Sequence, residues 1–176
     1  IIHGKASHEE TRATSSRALG DDGNGHYLVI LTLADVDYVC DYIRKGGDRQ
    51  AFLDRFSSAS ACSLGFDPEL HLKCIGVANQ TTMLKSETEE IQRRLKVAIE
   101  DRDGGSSTNF QVFDTICGAT QERQDSLFEM LRRPMDVLVV VGGYNSSSTT
   151  HLVEIGEKEL PTFFIRTAEC LKSFTE

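Results

Sequence analysis

An α/β fold with mostly parallel sheets, in two Rossmann-like βαβ lobes, is predicted by three observations. Apolar runs of strand length alternate with segments of helical period along the chain. The run Val137-Leu138-Val139-Val140-Val141 is apolar throughout, the pattern of a strand covered on both faces. Two stretches carry helical spacing: Val36, Val39, Cys40 and Ile43 at i, i+3, i+4 and i+7, and Ile91, Leu95, Ala98 and Ile99 at i, i+4, i+7 and i+8.

Taken in order, Ile1 and Ile2 read as the end of a strand already under way, so the sequence is expected to be a fragment, a processed form or part of a longer protein. Gly20-Asp21-Asp22-Gly23-Asn24-Gly25 is a surface connection. Tyr27 to Leu31 is the next strand, followed by the helix carrying Val36 to Ile43. Cys74 to Ala78 has β-branched strand content, and Ser86-Glu87-Thr88-Glu89 reads as a capping box opening the helix that carries Ile91 to Ile99. Gly104-Gly105-Ser106-Ser107 is a second connection, dividing the chain into lobes of residues 1–105 and 106–176. Phe110 to Phe113, Val137 to Val141 and Thr162 to Ile165 are the later strands. Helices follow the first two of them, one with Thr120 as its expected N-cap and one carrying Leu152 and Ile155.

Composition narrows the function. With 19 basic and 27 acidic residues the net charge is −8, and no run of Lys or Arg occurs, which argues against nucleic acid and anionic membranes as partners. No apolar stretch approaches the ~20 residues of a membrane span. The odd set of cysteines at 40, 62, 74, 117 and 170 contains no C-x-x-C pair, pointing to a reducing compartment rather than a disulfide framework. Gly20 to Gly25 does not fit G-x-G-x-x-G and no P-loop is present, so a dinucleotide site has no support.

Four groups have chemical potential, each with a plainer alternative. His8 and Glu10, just past the first strand, fit a proton donor and its partner at a sheet edge, or a polar turn whose acids complement a helix N-terminus. Asn79-Gln80-Thr81-Thr82 follows another strand and offers hydrogen bonds to a polar ligand, or caps the next helix. Cys117 stands at the mouth of a helix, where the N-terminal field favours the thiolate needed by a nucleophile or an iron–sulfur ligand. The alternative is a small buried hydrophobe, the reading given to Cys40 on its helical face and Cys74 in its strand. Gly142-Gly143-Tyr144-Asn145-Ser146-Ser147-Ser148-Thr149 has more hydroxyls than one N-cap needs, which favours a phosphate cradle.

Together these segments resemble the 4-hydroxy-3-methylbut-2-enyl diphosphate reductases, the last enzymes of the non-mevalonate isoprenoid pathway. The resemblance rests on His8-Glu9-Glu10-Thr11, on Asn79-Gln80-Thr81-Thr82, on Thr115-Ile116-Cys117 with Ala119-Thr120-Gln121-Glu122-Arg123-Gln124, and on Val140-Val141-Gly142-Gly143 through Asn145-Ser146-Ser147. The motif wording is closest to the plant and cyanobacterial branch. The family has three pseudo-symmetric α/β lobes around an iron–sulfur cluster, and the resemblance implies that this chain is a fragment without the first lobe, holding the second and a truncated third.

What the resemblance implies is specific. Cys117 matches a cysteine ligand of the 4Fe-4S cluster, Glu10 the proton donor, and His8 a histidine contacting the diphosphate. Thr81 matches a threonine near the substrate hydroxyl, and Ser146 and Ser147 match serines that bind the diphosphate; Ser148, also assigned to substrate, stands where the family usually has Asn. The implied reaction is reductive dehydroxylation of the diphosphate substrate to isopentenyl and dimethylallyl diphosphate, with a ferredoxin-type electron donor. A carboxyl group beside a dianionic ligand should hold its proton more tightly, as a donor needs. The implied compartment is the plastid stroma, or the cytoplasm of a bacterium. One cysteine cannot hold a cluster that requires three, so the remaining ligands are expected from residues outside the chain. The alternative is a truncated, inactive relative serving as a structural or interaction subunit of a larger assembly.

Overall fold

Two amphipathic helices and a set of short strands set the architecture, and the α/β class with parallel sheets is what the chain adopts. The structure is a computed structural model and describes residues 1–171. In chain order the elements are β1 (Ile2–His3), α1 (Glu9–Ala18), β2 (Val29–Ile30), α2 (Leu33–Lys45), α3 (Arg49–Arg55), α4 (Pro68–His71), β3 (Ile75–Asn79), α5 (Lys85–Arg102), β4 (Phe110–Val112), α6 (Gly118–Leu131), β5 (Leu138–Val141), α7 (Ser147–Glu157) and β6 (Thr162–Ile165). They form two compact units: Ile1–Thr81 with Lys85–Thr115, and Thr82–Leu84 with the described residues from Ile116 onward.

The first unit is built on a four-stranded parallel sheet of order β2-β1-β3-β4. β1 is only two residues long but is paired on both edges, Ile2 opposite Val29 and Ala78, His3 opposite Ile30 and Asn79. The predicted helical faces meet: Val36, Val39, Cys40 and Ile43 of α2 share one buried cluster with Ile91, Leu95, Ala98 and Ile99 of α5 and with Ile30 and Val77 of the sheet. Each fully buried aliphatic side chain contributes roughly 1.5–3 kcal/mol. The α1 helix packs against β1 and β3. β4, beyond the Gly104-Gly105 turn, pairs with β3.

Local chemistry explains the helix starts. Thr32 and Asp35 form a reciprocal capping box at α2. The box expected at Ser86 is not the N-cap of α5, because that helix already begins at Lys85 and Ser86 lies within its first turn. Glu90, beyond the expected box, pairs with Arg93 and Arg94 on the surface. The short helices α3 and α4 were not predicted. Both have an Asp N-cap, Asp48 and Asp67, the second followed by Pro68, but each is too short to show an apolar period.

The second unit pairs β5 with β6 in parallel, and α7 packs against both strands and against α6. Here one expectation fails. Leu138 and Val140 are buried with Leu127, Val153 and Ile155, whereas Val139 and Val141 are 40% and 63% exposed. Among the described residues, β5 is therefore covered on one face only. The Tyr27 to Leu31 strand also contracts to Val29–Ile30, and Cys74 lies outside its strand, which begins at Ile75. No described helix is long and apolar enough to cross a membrane.

Replacing Leu95 by Ala should cost about 2–5 kcal/mol, because its side chain is fully buried between α2 and the sheet. Val141→Thr, on the exposed face of β5, should stay within about 0.5 kcal/mol. Urea unfolding followed by circular dichroism of the two variants distinguishes these outcomes.

Candidate functional site

Strand order alone marks a place for a ligand in the first unit. The chain leaves β1 for β2 on one side and returns to β3 on the other, so the sheet changes direction between β1 and β3. Loops leaving the carboxyl ends of two such strands diverge and open a crevice. The β1 loop carries His8 and Glu10, and the β3 loop carries Thr81.

His8 is the N-cap of α1: its Nδ1 accepts the Glu10 backbone N–H at 3.3 Å. The same nitrogen lies 4.0 Å from a Glu10 carboxylate oxygen. It cannot be both an acceptor for the amide and a protonated partner of the acid. The cap requires the neutral ring with its proton on Nε2, leaving that N–H to donate elsewhere. Both side chains are about one-third exposed. Thr81 is half-buried.

Beneath these groups lies a buried polar junction. The Gln80 carboxamide oxygen accepts from the Lys5 backbone N–H at 3.1 Å and from the Thr11 hydroxyl at 3.0 Å. The Gln80 N–H donates to the His3 carbonyl at 2.7 Å. His3 Nδ1 is 2.9 Å from the Thr88 hydroxyl, and the Thr115 hydroxyl donates to the Asn79 carbonyl at 2.7 Å while accepting the Asn79 N–H. Gly4 is required by close approach: a Cβ there would stand 2.7 Å from Thr11 Oγ1 and 2.8 Å from Gln80 Cβ. Sequence reasoning read Gln80 as a ligand or capping group, quoted Thr11 only within a motif, and assigned no role to His3. Their signal is polar residues at a strand end and on an inward helical position, which only the fold reveals as buried.

In the second unit the two predicted loops are both helix N-termini. Cys117 itself, not Thr120, caps α6; its Sγ accepts the Thr120 N–H at 3.3 Å and lies 3.1 Å from the Thr120 hydroxyl. Thr120, buried two residues inside the helix, braces the cap. The Cys117 residue is exposed, so the plain reading of a buried hydrophobe does not describe it. Ser146 caps α7, accepting the Thr149 N–H at 3.3 Å and the Thr149 hydroxyl at 2.9 Å. Two of the clustered hydroxyls thus serve the cap, and Ser147 and Ser148 occupy the first turn. Gly142 brings the loop against the helix, since a Cβ would lie 2.7 Å from Thr149 Cγ2.

The remaining cysteines divide differently from expectation. Cys40 is core, and burial pushes its thiol up to about 11. Cys62 is half-buried and its thiol is also raised by desolvation. Cys74 is exposed, against the expectation of a core residue, because its strand starts one residue later. At Cys170, backbone hydrogen bonds from Thr167 and Arg166 lower the thiol, with desolvation opposing them.

The sequence model of the family described as LytB protein matches residues 1–175. The chain belongs to the LytB family. Curated relatives of this LytB chain carry the description 4-hydroxy-3-methylbut-2-enyl diphosphate reductase. That of Synechococcus sp. (strain ATCC 27144) is 53% identical over 172 residues, covering 96% of this chain and 41% of the relative. Those of Gloeobacter violaceus and Nostoc sp. (strain PCC 7120) are 53% and 49% identical, each covering 98% of this chain and 40% and 42% of the relative. The LytB chain thus spans about two fifths of the length of these relatives. The resemblance seen in the motifs is borne out. A solved structure of (E)-4-hydroxy-3-methyl-but-2-enyl diphosphate reductase, the terminal enzyme of the non-mevalonate pathway, aligns with TM-score 0.34 and 23% identity over 90% of this chain and 60% of that one. At that score the alignment carries no part of the assignment.

A 4Fe-4S cluster fits this LytB chain only in part. Cys117 is an accessible sulfur at a helix N-terminus, receiving an N–H from the first turn, which suits a thiolate ligand. Among the described residues no group of three His, Cys, Asp or Glu is placed to hold a metal ion. The described residues therefore do not make up a complete metal site.

Iodoacetamide treatment of the native protein at neutral pH should label Cys170 readily and leave Cys40 unmodified until denaturant is added, as read by peptide mass spectrometry. Labelling of Cys40 in the folded protein would contradict the packing of α2.

Proposed function

We propose that this chain is part of a reductase of the non-mevalonate isoprenoid pathway, acting on 4-hydroxy-3-methylbut-2-enyl diphosphate to release water and give isopentenyl and dimethylallyl diphosphate. The observation that carries this reading is about 50% identity, across nearly the whole chain, to curated relatives of that description. In this reading Cys117 and residues outside this chain would hold a 4Fe-4S cluster, which would relay two electrons from the donor one at a time, with two protons taken up to balance the loss of water. Residues 1–105 correspond to the family's second lobe and residues 106–176 to a truncated third.

The chain's own groups have defined tasks. His8, kept neutral by its cap, donates Nε2–H to a diphosphate oxygen. Glu10 holds the proton delivered to the departing hydroxyl, and Thr81 orients that hydroxyl from the neighbouring loop. Ser146 has its oxygen engaged by two donors from Thr149, so its own proton points to an acceptor; this suits a diphosphate oxygen. Ser147, Ser148 and the first-turn N–H groups of α7 extend the cradle that Ser146 begins in the second unit. None of these donors is a Lys or Arg, in keeping with an acidic chain. The resemblance implies a plastid-stromal or bacterial cytoplasmic location and a ferredoxin-type electron donor.

Anaerobically purified protein containing this chain should hold iron and sulfide and show broad visible absorption, which Cys117→Ser should abolish. Glu10→Gln should keep the absorption and lower turnover about 10²–10⁴-fold. Absorption retained in Cys117→Ser would remove Cys117 from the ligand set. A native protein without iron would favour the inactive, structural relative.

A further inference from the structure

We infer that Gln80 is a positioning residue that sets the placement of His8 and Glu10, an inference that rests on the proposed function for what those two groups do. Gln80 is only 1% exposed and sits at the end of β3, one residue before Thr81. Its carboxamide oxygen takes two donors from opposite ends of one loop: the Lys5 N–H, where the chain leaves β1, and the Thr11 hydroxyl, in the first turn of α1. His8 and Glu10 lie between those two anchor points. A carbonyl oxygen has two lone pairs, so this one atom is fully occupied by the two bonds that close the loop.

Three features make the clamp stiff. Thr11 is fully buried, so its hydroxyl has no water to turn to when the bond is lost. The Gln80 N–H is tied to the His3 carbonyl, which locks the side chain's origin to β1. The absent Cβ of Gly4 allows Thr11 and Gln80 to close over it. The His8 ring then caps α1 through Nδ1, so the direction of its Nε2–H follows from the closure of the loop. Displacement of a reacting group by about 1 Å can cost ~100-fold in rate, so a side chain that touches no substrate can still govern turnover.

The test uses the full-length polypeptide with Gln80→Leu, Gln80→Glu and Thr11→Val. Gln80→Leu removes the acceptor at similar size, Gln80→Glu keeps an acceptor oxygen, and Thr11→Val removes one of the two donors without changing shape. Amide exchange of Lys5 and the ¹⁵N signature of the His8 tautomer are followed by NMR, and inorganic pyrophosphate binding by calorimetry. Gln80→Leu should speed Lys5 exchange at least about tenfold, mix the His8 tautomers, and weaken pyrophosphate about tenfold. Gln80→Glu should restore all three, and Thr11→Val should show the tautomer and binding changes with an intact melting curve, which decides the matter should Gln80→Leu not fold. Unchanged Lys5 exchange and unchanged His8 tautomer in the variants would overturn the inference. Wild-type protein that ignores pyrophosphate, yet shows the exchange and tautomer effects, would count against the proposed function while leaving the clamp standing.

Discussion

The pairing of β1 on both edges is the constraint from which the first unit follows. Two residues would not hold a strand by themselves, but Ile2 and His3 are fixed between β2 and β3 in one register. That register sets the loops after β1 and β3 side by side at the carboxyl edge. The large core between α2 and α5 holds the sheet from beneath, and the Gln80, Thr11 and His3 junction joins the loops above it. Apolar packing supplies the stability. A few buried polar bonds supply the direction in which the exposed groups point.

In both units the candidate side chains stand at helix N-termini. His8, Cys117 and Ser146 each cap a helix with a side-chain atom that also has chemistry of its own. A cap accepts hydrogen bonds from first-turn amides, so it settles which proton or lone pair remains for use. On the imidazole this leaves Nε2–H, and on the hydroxyl it leaves the O–H proton. Helix N-termini attract anions whatever the sign of the net charge, which here is −8.

The long-period features were legible in the sequence and the local ones were not. α2 and α5 showed their buried faces through four apolar positions each, and β6 occupies Thr162 to Ile165 as read. Val139 and Val141 misled because an all-apolar run implies two covered faces, whereas only one side of β5 has helices against it among the described residues. Ser86 and Thr120 were misplaced as caps by two and three residues, because several side chains near each start have capping chemistry and only backbone geometry chooses between them. Cys117 and the serine loop were visible by position after a strand. Gln80 was seen as part of a polar motif but not as buried, since burial of a polar side chain depends on a partner 69 residues away in Thr11.

Gly4 has a consequence for how such a sequence can drift. A methyl group at position 4 would collide with both Thr11 and Gln80, and neither neighbour can retreat without abandoning a hydrogen bond. A side chain added at 4, or the loss of the hydrogen-bonding oxygen at 11 or 80, leaves a defect that the other two positions cannot repair. The residues tolerated at each of these three positions are therefore set by the other two.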